Sequence, residues 1–467
     1  MHSLLSNEEQ KRVFFPCSQS NKTKVIISTN VAETSVTIDD VGLVIDTGMF
    51  KESTYNPMSH FWALKEEQIS RSSMIQRRGR AGRTGPGRCY HLYEVSDIKL
   101  DFPIPGMLKD SLEEAIILFK SIRGNSNSYS FFSKALNPPL NRNITIILED
   151  LVDLGVVRGK FNELELSDDT ELTPLGFHLV RLGTNVRVGK LLLFGIFFHC
   201  IDPILTICSV LDGKNPFKQN YLGGNYHRSN IITTPVVRKH FGNDDFTAIL
   251  EARSVFLTKT DLRIKYLSHI AMKTNEMIRN DFIRDLLNSG FLKTSPEPLR
   301  KLDVTLLKIC LAAGLFPYIG FIKQSGEIVT GPHDLKTSTF DDSSLFQPTL
   351  SFTYFVYHER VMVEHKLKIR RGIAVSPIAL VLFGGGFGRL PKKQIKSRFI
   401  SIKVGNCWIL HARIKDAFLV CQLRRLLDET LLKIYENNRI SSEDEKLFKL
   451  IHMIIESSNN DNEMTVI

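Results

Sequence analysis

Apolar and polar positions follow three rhythms along this chain, and each marks a different region. Residues 24–29 and 41–46 are short β-branched runs, as expected of parallel strands buried on both faces. Each ends in polar residues, Thr29-Asn30 and Asp46-Thr47, at the carboxyl end of a strand, where ligands gather in open α/β sheets. Residues 51–69 carry β-prone stretches on both sides of Tyr55-Asn56-Pro57 and predict a hairpin. A helix is predicted from near Ser70 until Gly79 and Gly82 break it, and another strand at 89–93.

Beyond a two-proline linker at 101–105 the rhythm becomes helical. Asp110 and Glu113 form a capping-box-like start, and Leu112, Ala115, Ile116, Phe119 and Ile122 fall on one face. A second helix over 144–154 stops at Gly155. Residues 156–157 and 161–166, joined through Gly159, read as a short hairpin, so helices followed by a two-stranded wing predict a winged helix. Thr173-Pro174 starts a largely helical stretch to about residue 291, with helices at 188–199, 246–257, 259–271 and 275–288. From residue 306 the pattern turns to short strands, at 318–322, 327–330, 350–358 and 360–368, which suggest a small barrel. A terminal helix at 413–436 and a polar, disordered tail at 457–464 complete the expectation.

Composition narrows the class. Hydrophobic residues at 43% and charged residues at 24% over 467 residues describe several globular domains with cores. A net charge of +10 favours a polyanionic partner, nucleic acid first, although a membrane-surface or ribosome-associated protein would share it. The seven cysteines include no C-x-x-C pair and sit mostly in apolar runs, so buried reduced thiols are expected and no metal site. The apolar run at 191–198 is far short of the roughly 20 residues a spanning helix needs. With a polar N-terminus, no membrane association is expected, and the address is cytoplasmic or nuclear.

The chemistry concentrates between Arg71 and Arg88, where six arginines and no acid are interleaved with small residues. Residues 76–87 alone also fit a solvated basic turn, a nuclear import patch or an RGG-like segment, and Thr37 and Asp39 alone fit a turn or helix cap. His365, Lys366, Lys368, Arg370 and Arg371 form a second basic cluster on or beside a strand, suited to single-stranded nucleic acid or to guarding a sheet edge. Neither G-x-x-x-x-G-K-[ST] nor D-E-x-H occurs: Gly189-Lys190 and Gly213-Lys214 lack the upstream glycine and the following hydroxyl residue, and Asp428-Glu429-Thr430-Leu431 lacks the histidine.

Residues 25–39 and 76–83, in this order and about forty residues apart, resemble motifs V and VI of the superfamily 2 helicases, in the DEAH-box and RNA-helicase-A-like (DExH) branch. Residues 2–10 resemble motif IVa. Leu172-Thr173-Pro174-Leu175-Gly176, Val188-Gly189-Lys190 and Cys200-Ile201-Asp202-Pro203 resemble the helical ratchet domain, with Leu182-Gly183 where relatives usually have Leu-Pro. Residues 374–385 resemble the end of the OB-fold.

The resemblance implies a multidomain α/β plus α plus β protein: a partial second RecA-like domain (1–97), a winged helix (98–170), a helical ratchet bundle (171–295), an OB-fold barrel (296–412), and C-terminal helices with a tail (413–467). It implies that the chain begins inside a domain and that the first RecA-like domain, main holder of ATP and Mg²⁺, is absent from it. Gln76 would place the water or γ-phosphate, Arg80 and Arg83 would act as arginine fingers, and Thr37, Asp39 and Gly79 would lie at the nucleotide. Thr29 and Asn30 would hold RNA phosphates or relay between the two sites, and Lys366, Lys368 and Arg370 on the barrel would hold RNA. RNA, mostly single-stranded, is the implied partner, with protein cofactors on the winged-helix and OB surface. The implied function is the C-terminal half of an ATP-dependent RNA helicase; the alternative is a non-catalytic RNA-binding adaptor derived from one.

Overall fold

The computed structural model describes residues 1, 10–16, 22–34, 36–217, 240–242, 244–298, 301–323, 325–331, 335–339, 354–363, 366–385, 399–404 and 408–460. They form two compact units: Met1–Tyr55 with Trp62–Asp110, and Asn56–Phe61 with Ser111–Ile467.

The first unit contains a one-turn helix α1 (Val31–Thr34), strands β1 (Leu43–Asp46), β2 (Met49–Asn56) and β3 (Phe61–Gln68), helix α2 (Arg71–Arg78) and strand β4 (Arg88–His91). β1 and β4 pair in parallel, Leu43 opposite Arg88 and Asp46 opposite His91. β2 and β3 form the expected hairpin, turned by Pro57–Ser59 with Asn56 accepting from the Ser59 N–H. Ser70 caps α2 by accepting from the Ser73 N–H, and Gly79 ends it. A small core of Ile69, Met74 and Ile98, with Phe50 and Tyr93 against it, lies beside them.

The strand expected over residues 24–29 does not form. That segment has no regular structure and pairs with no strand among the described residues, and Val25 and Ile27 are 79% and 78% exposed. Leu43 and Ile45 of β1 are also exposed. A parallel strand needs a ladder partner and a layer on each face; here α2 packs on β1, and the face carrying Leu43 and Ile45 is uncovered.

The second unit opens with α3 (Glu113–Arg123), α4 (Ser128–Phe132) and α5 (Asn141–Asp153). Leu112, Ile116 and Phe119 are buried as expected, but Ala115 and Ile122 are exposed, and Ile117 and Lys120 turn inward instead. Glu113 caps nothing. Its carboxylate is buried in a two-bond pairing with Arg187, at 2.8 and 3.0 Å, whose guanidinium also lies 4.4 Å from the Tyr318 ring centre.

The expected hairpin across Gly159 is replaced by two nested two-residue ladders. β5 (Val157–Arg158) pairs with β8 (Glu171–Leu172), and β6 (Phe161–Asn162) pairs with β7 (Ser167–Asp168). The turn therefore falls between Asn162 and Ser167 rather than at Gly159, whose φ of 131° bends the chain between the ladders.

Next come α6 (Pro174–Leu182), capped by Thr173 as expected, then α7 (Val186–Phe197), α8 (Ile201–Leu211), α9 (Asp245–Thr258), α10 (His269–Asn288) and α11 (Val304–Leu315). Every residue of α7 is buried. α11 approaches it so closely that a Cβ on Gly314 would stand 2.3 Å from Leu191 Cγ.

Two expectations fail in this stretch. Pro203 sits in the first turn of α8, where its missing N–H costs nothing. Residues 259–271 are not one helix, because Lys259 adopts a left-handed conformation and a 3₁₀ turn, Leu262–Tyr266, precedes α10. Residues 304–315 are helix rather than strand, an apolar run buried on every side from Ile309 to Leu315, where no polar face sets the period.

Five strands follow: β9 (Ile319–Ile322), β10 (Ile328–Thr330), β11 (Leu335–Thr339), β12 (Tyr354–Val363) and β13 (Lys366–Ala374). Their order is β13-β11-β10-β9-β12, and β12 also pairs with β13, so the ring closes as a five-stranded barrel. The strand expected at 360–368 is divided between the end of β12 (360–363) and the start of β13 (366–368); residues 364–365, and the start of the strand expected at 350–358, lie outside the described residues.

Helix α12 (Pro377–Phe383), the hairpin β14 (Phe399–Val404) and β15 (Trp408–Arg413), and helices α13 (Ile414–Asn437) and α14 (Ser442–Asn460) complete the unit. α14 includes residues 457–460 of the expected tail; 461–467 lie outside the described residues. One apolar core runs from Leu112 to Ile455. Cys200, Cys208, Cys310 and Cys421 are buried free thiols.

Candidate functional site

α2 and the turn after it present an inward face at three- and four-residue spacing: Met74 and, beyond the helix end, Ala81 are buried, and Arg77 between them is largely covered. Arg77 reaches two acids. Its Nη1 donates to Asp46 Oδ1 at 2.8 Å, and its Nε to Glu33 Oε2 at 2.9 Å. Nη1 also donates to the Met49 carbonyl.

Asp46, at the end of β1, is 3% exposed and accepts further bonds from the Tyr93 hydroxyl at 2.7 Å and the Gly48 N–H at 3.0 Å. Burial pushes its carboxyl upward, but the Gly48 N–H, the Tyr93 hydroxyl and the Arg77 guanidinium prevail and hold it below the usual carboxylate range. The same contact pushes the Tyr93 phenol up, burial first and the Asp46 carboxylate second. The sequence placed Asp46-Thr47 where ligands gather; the Asp46 carboxylate is occupied by the protein itself.

Two further bonds join the same segments. Arg80 Nη1 donates to the Val36 carbonyl at 3.0 Å, and Thr84 Oγ1 to the Asp39 carbonyl at 2.5 Å. Residues 33, 36 and 39 thus meet 77, 80 and 84, and the two arginine- and hydroxyl-rich segments lie side by side in the same direction.

Of the residues expected at the nucleotide, Gln76, Gly79, Arg83, Thr37 and Asp39 are exposed and Arg80 is half-buried. The side chains of Gln76 and Arg83 make no hydrogen bond or ion pair among the described residues. Thr29 and Asn30 are exposed at the entry to α1. Lys366, Lys368 and Arg370 lie along β13 in the second unit, Lys366 exposed and the others half-buried. Arg370 Nη1 pairs with Glu359 on β12 at 3.2 Å, so part of that cluster's charge is already matched. His365 lies outside the described residues.

Residues 1–85 match the family model described as helicase conserved C-terminal domain. Residues 185–231 match the helicase associated domain (HA2), ratchet-like. Over 98% of its length the chain is 30% identical to the ATP-dependent RNA helicase DHX29 of Mus musculus. The chain belongs to the DEAH/DExH-box RNA helicases of superfamily 2. The ATP-dependent DNA/RNA helicase DHX36 of Homo sapiens is 30% identical over 94% of the chain, and the DExH-box ATP-dependent RNA helicase DExH1 of Arabidopsis thaliana 31% identical over 84%. The chain spans 34% of DHX29, 44% of DHX36 and 39% of DExH1, and corresponds to the C-terminal region of this helicase family.

Sequence reasoning named Gln76, Arg80 and Arg83 but passed over Arg77, Glu33, Asp46 and Tyr93 as a group. Helical spacing from Met74 marks Arg77 as inward-facing. Nothing in the sequence pairs it with acids 31 and 44 residues away.

Proposed function

We propose that this chain supplies the C-terminal working parts of an ATP-dependent RNA helicase: the arginines that meet the γ-phosphate of ATP·Mg²⁺ and the surfaces that guide RNA. One observation carries the reading. The side chains of Gln76, in the last turn of α2, and of Arg83, beyond its end, are exposed and unpaired among the described residues, while the neighbouring Arg77 and Arg80 are tied to the segment that bears Thr37 and Asp39.

In this reading Arg83 and the remaining donors of Arg80 neutralise charge on the transferring phosphoryl group, Gln76 orients the attacking water, and Thr37, Asp39 and Gly79 border the nucleotide. The substrate Mg²⁺ and the phosphates rest mainly on a P-loop, which the sequence does not contain. Thr29, Asn30 and the Lys366, Lys368 and Arg370 strand contact the backbone of single-stranded RNA. We further propose that residues 98–170 are a winged helix, 171–295 the ratchet, 296–412 an OB-fold bounded by the five-stranded barrel, and 413–467 C-terminal helices and tail, with protein cofactors docking on the winged-helix and OB surfaces of a cytoplasmic or nuclear protein.

The test is Arg83→Ala in the P-loop-containing helicase. Hydrolysis should fall by roughly 10³-fold with nucleotide affinity nearly kept, and Arg83→Lys should not rescue it, because the forked geometry is lost. A variant with unchanged turnover and only a raised KM for ATP would assign Arg83 to binding alone. The 467-residue chain assayed by itself should show no ATPase above background.

A further inference from the structure

We propose that Arg77 is a positioning residue that couples the RNA-facing segment to the nucleotide-facing arginines. The inference rests on the functional reading above. Arg77 sits one residue after Gln76 and three before Arg80, while its partner Glu33 lies in α1, immediately after Thr29 and Asn30 and ahead of Thr37 and Asp39. The guanidinium therefore ties together the two stretches to which the reading assigns different ligands.

The tie has a fixed end and a movable end. Asp46 is sealed at the end of β1, held by Tyr93, Gly48 and Arg77 together, and anchors one edge of the guanidinium. Glu33 belongs to a single turn of helix, Val31–Thr34, none of whose residues is fully buried. That turn has little apolar packing of its own, so its place depends on polar bonds: Glu33 to Arg77, then Val36 to Arg80 and Asp39 to Thr84.

A displacement of α1 by a strand of RNA would thus be transmitted through Glu33 to Arg77, and through the parallel bonds to the Arg80–Thr84 stretch. Two charge-assisted bonds on one planar guanidinium resist rotation as well as separation, which a single lysine ammonium cannot do.

The experiment uses the 467-residue chain and a single-stranded oligouridylate, followed by amide hydrogen exchange. In the parental chain, RNA binding should change protection both at Ala32–Thr34 and at Arg80–Thr84. In Arg77→Gln the first change should remain and the second fall to less than about half, carried only by the Val36–Arg80 and Asp39–Thr84 bonds, with RNA affinity within about twofold. Because Arg77→Gln leaves the buried Asp46 short of a partner, Glu33→Gln is the second variant: it cuts the movable end alone and should give the same uncoupling.

In the P-loop-containing helicase, either variant should lower the RNA stimulation of ATPase by about 10-fold, within the range typical of coupling between sites, while basal turnover stays within about twofold. A merely structural role would lower basal and stimulated rates together. An Arg80–Thr84 response that keeps its full size in both variants overturns the coupling and leaves the functional reading standing. A parental protein that neither binds RNA nor shows RNA-stimulated hydrolysis overturns that reading, and the coupling with it.

Discussion

The first unit leaves apolar strand residues uncovered and fixes its key segments by charged bonds, whereas the second buries a continuous apolar core and seals a few ions inside it. In the first, Val25, Ile27, Leu43 and Ile45 face solvent while Asp46, Arg77 and Glu33 are largely covered. In the second, α7 is buried throughout, yet the ammonium of Lys190 within it donates only to the Leu154 carbonyl, at 3.3 Å, among the described residues. Polar ties hold segments in a definite relation while letting them part at modest cost. Apolar packing holds them together without that choice, which suits a scaffold rather than a relay.

The sharpest way to break this contrast is Glu113→Gln, which removes the carboxylate charge that the Arg187 guanidinium meets through two bonds inside the second unit. Destabilisation of about 3–5 kcal/mol is expected by denaturant unfolding, because neutralising one partner of a buried ion pair costs more than a lost neutral hydrogen bond. A loss under 1 kcal/mol would mean that water reaches that cluster.

A gain should follow from Lys190→Met. Burial, and next the Arg424 and Arg187 charges, push the Lys190 ammonium down to about 7. Between that value and the ordinary lysine range the unfolded chain binds a proton that the folded chain does not, so stability should climb as pH rises from 7 toward 10. The variant should be more stable by about 1–3 kcal/mol at pH 7 and lack that climb. Parallel pH profiles for the two proteins would show Lys190 to be charged in the fold.

In the first unit, Asp46→Asn should cost about 1–3 kcal/mol of local protection in β1, read by amide exchange, since the Arg77 bond to a carboxylate is lost. The folded carboxyl titrates below its unfolded value. Its contribution is therefore complete above about pH 4 and disappears as pH falls further through the lowered folded pKa, in wild type but not in the variant. The smallest effect belongs to Val25→Ser with Ile27→Ser: two exposed side chains should change stability by no more than ~0.5 kcal/mol. A larger loss would show that this segment is covered in solution.

How far the sequence could be read depended on whether its signals were local. Ser70 and Thr173 as caps, Gly79 and Gly155 as stops and the 51–69 hairpin all rest on bonds within a few residues, and the structure has them. The pairings around Gly159 and the helix at 304–315 were misread for the same reason as the 24–29 strand: ladder partners and buried neighbours lie elsewhere in the chain.

Membership in the helicase family was legible from residue order alone, because motifs V and VI are long local strings whose spacing survives without coordinates. The sequence also determined the basic balance and which arginines are available. What only the tertiary structure decided is which of them are already spent: Arg77 on Asp46 and Glu33, Arg80 partly on Val36, and Arg83 on nothing among the described residues. A guanidinium's role depends on the acid within about 3 Å of it, and that neighbour is set by how distant segments pack, which no local pattern encodes.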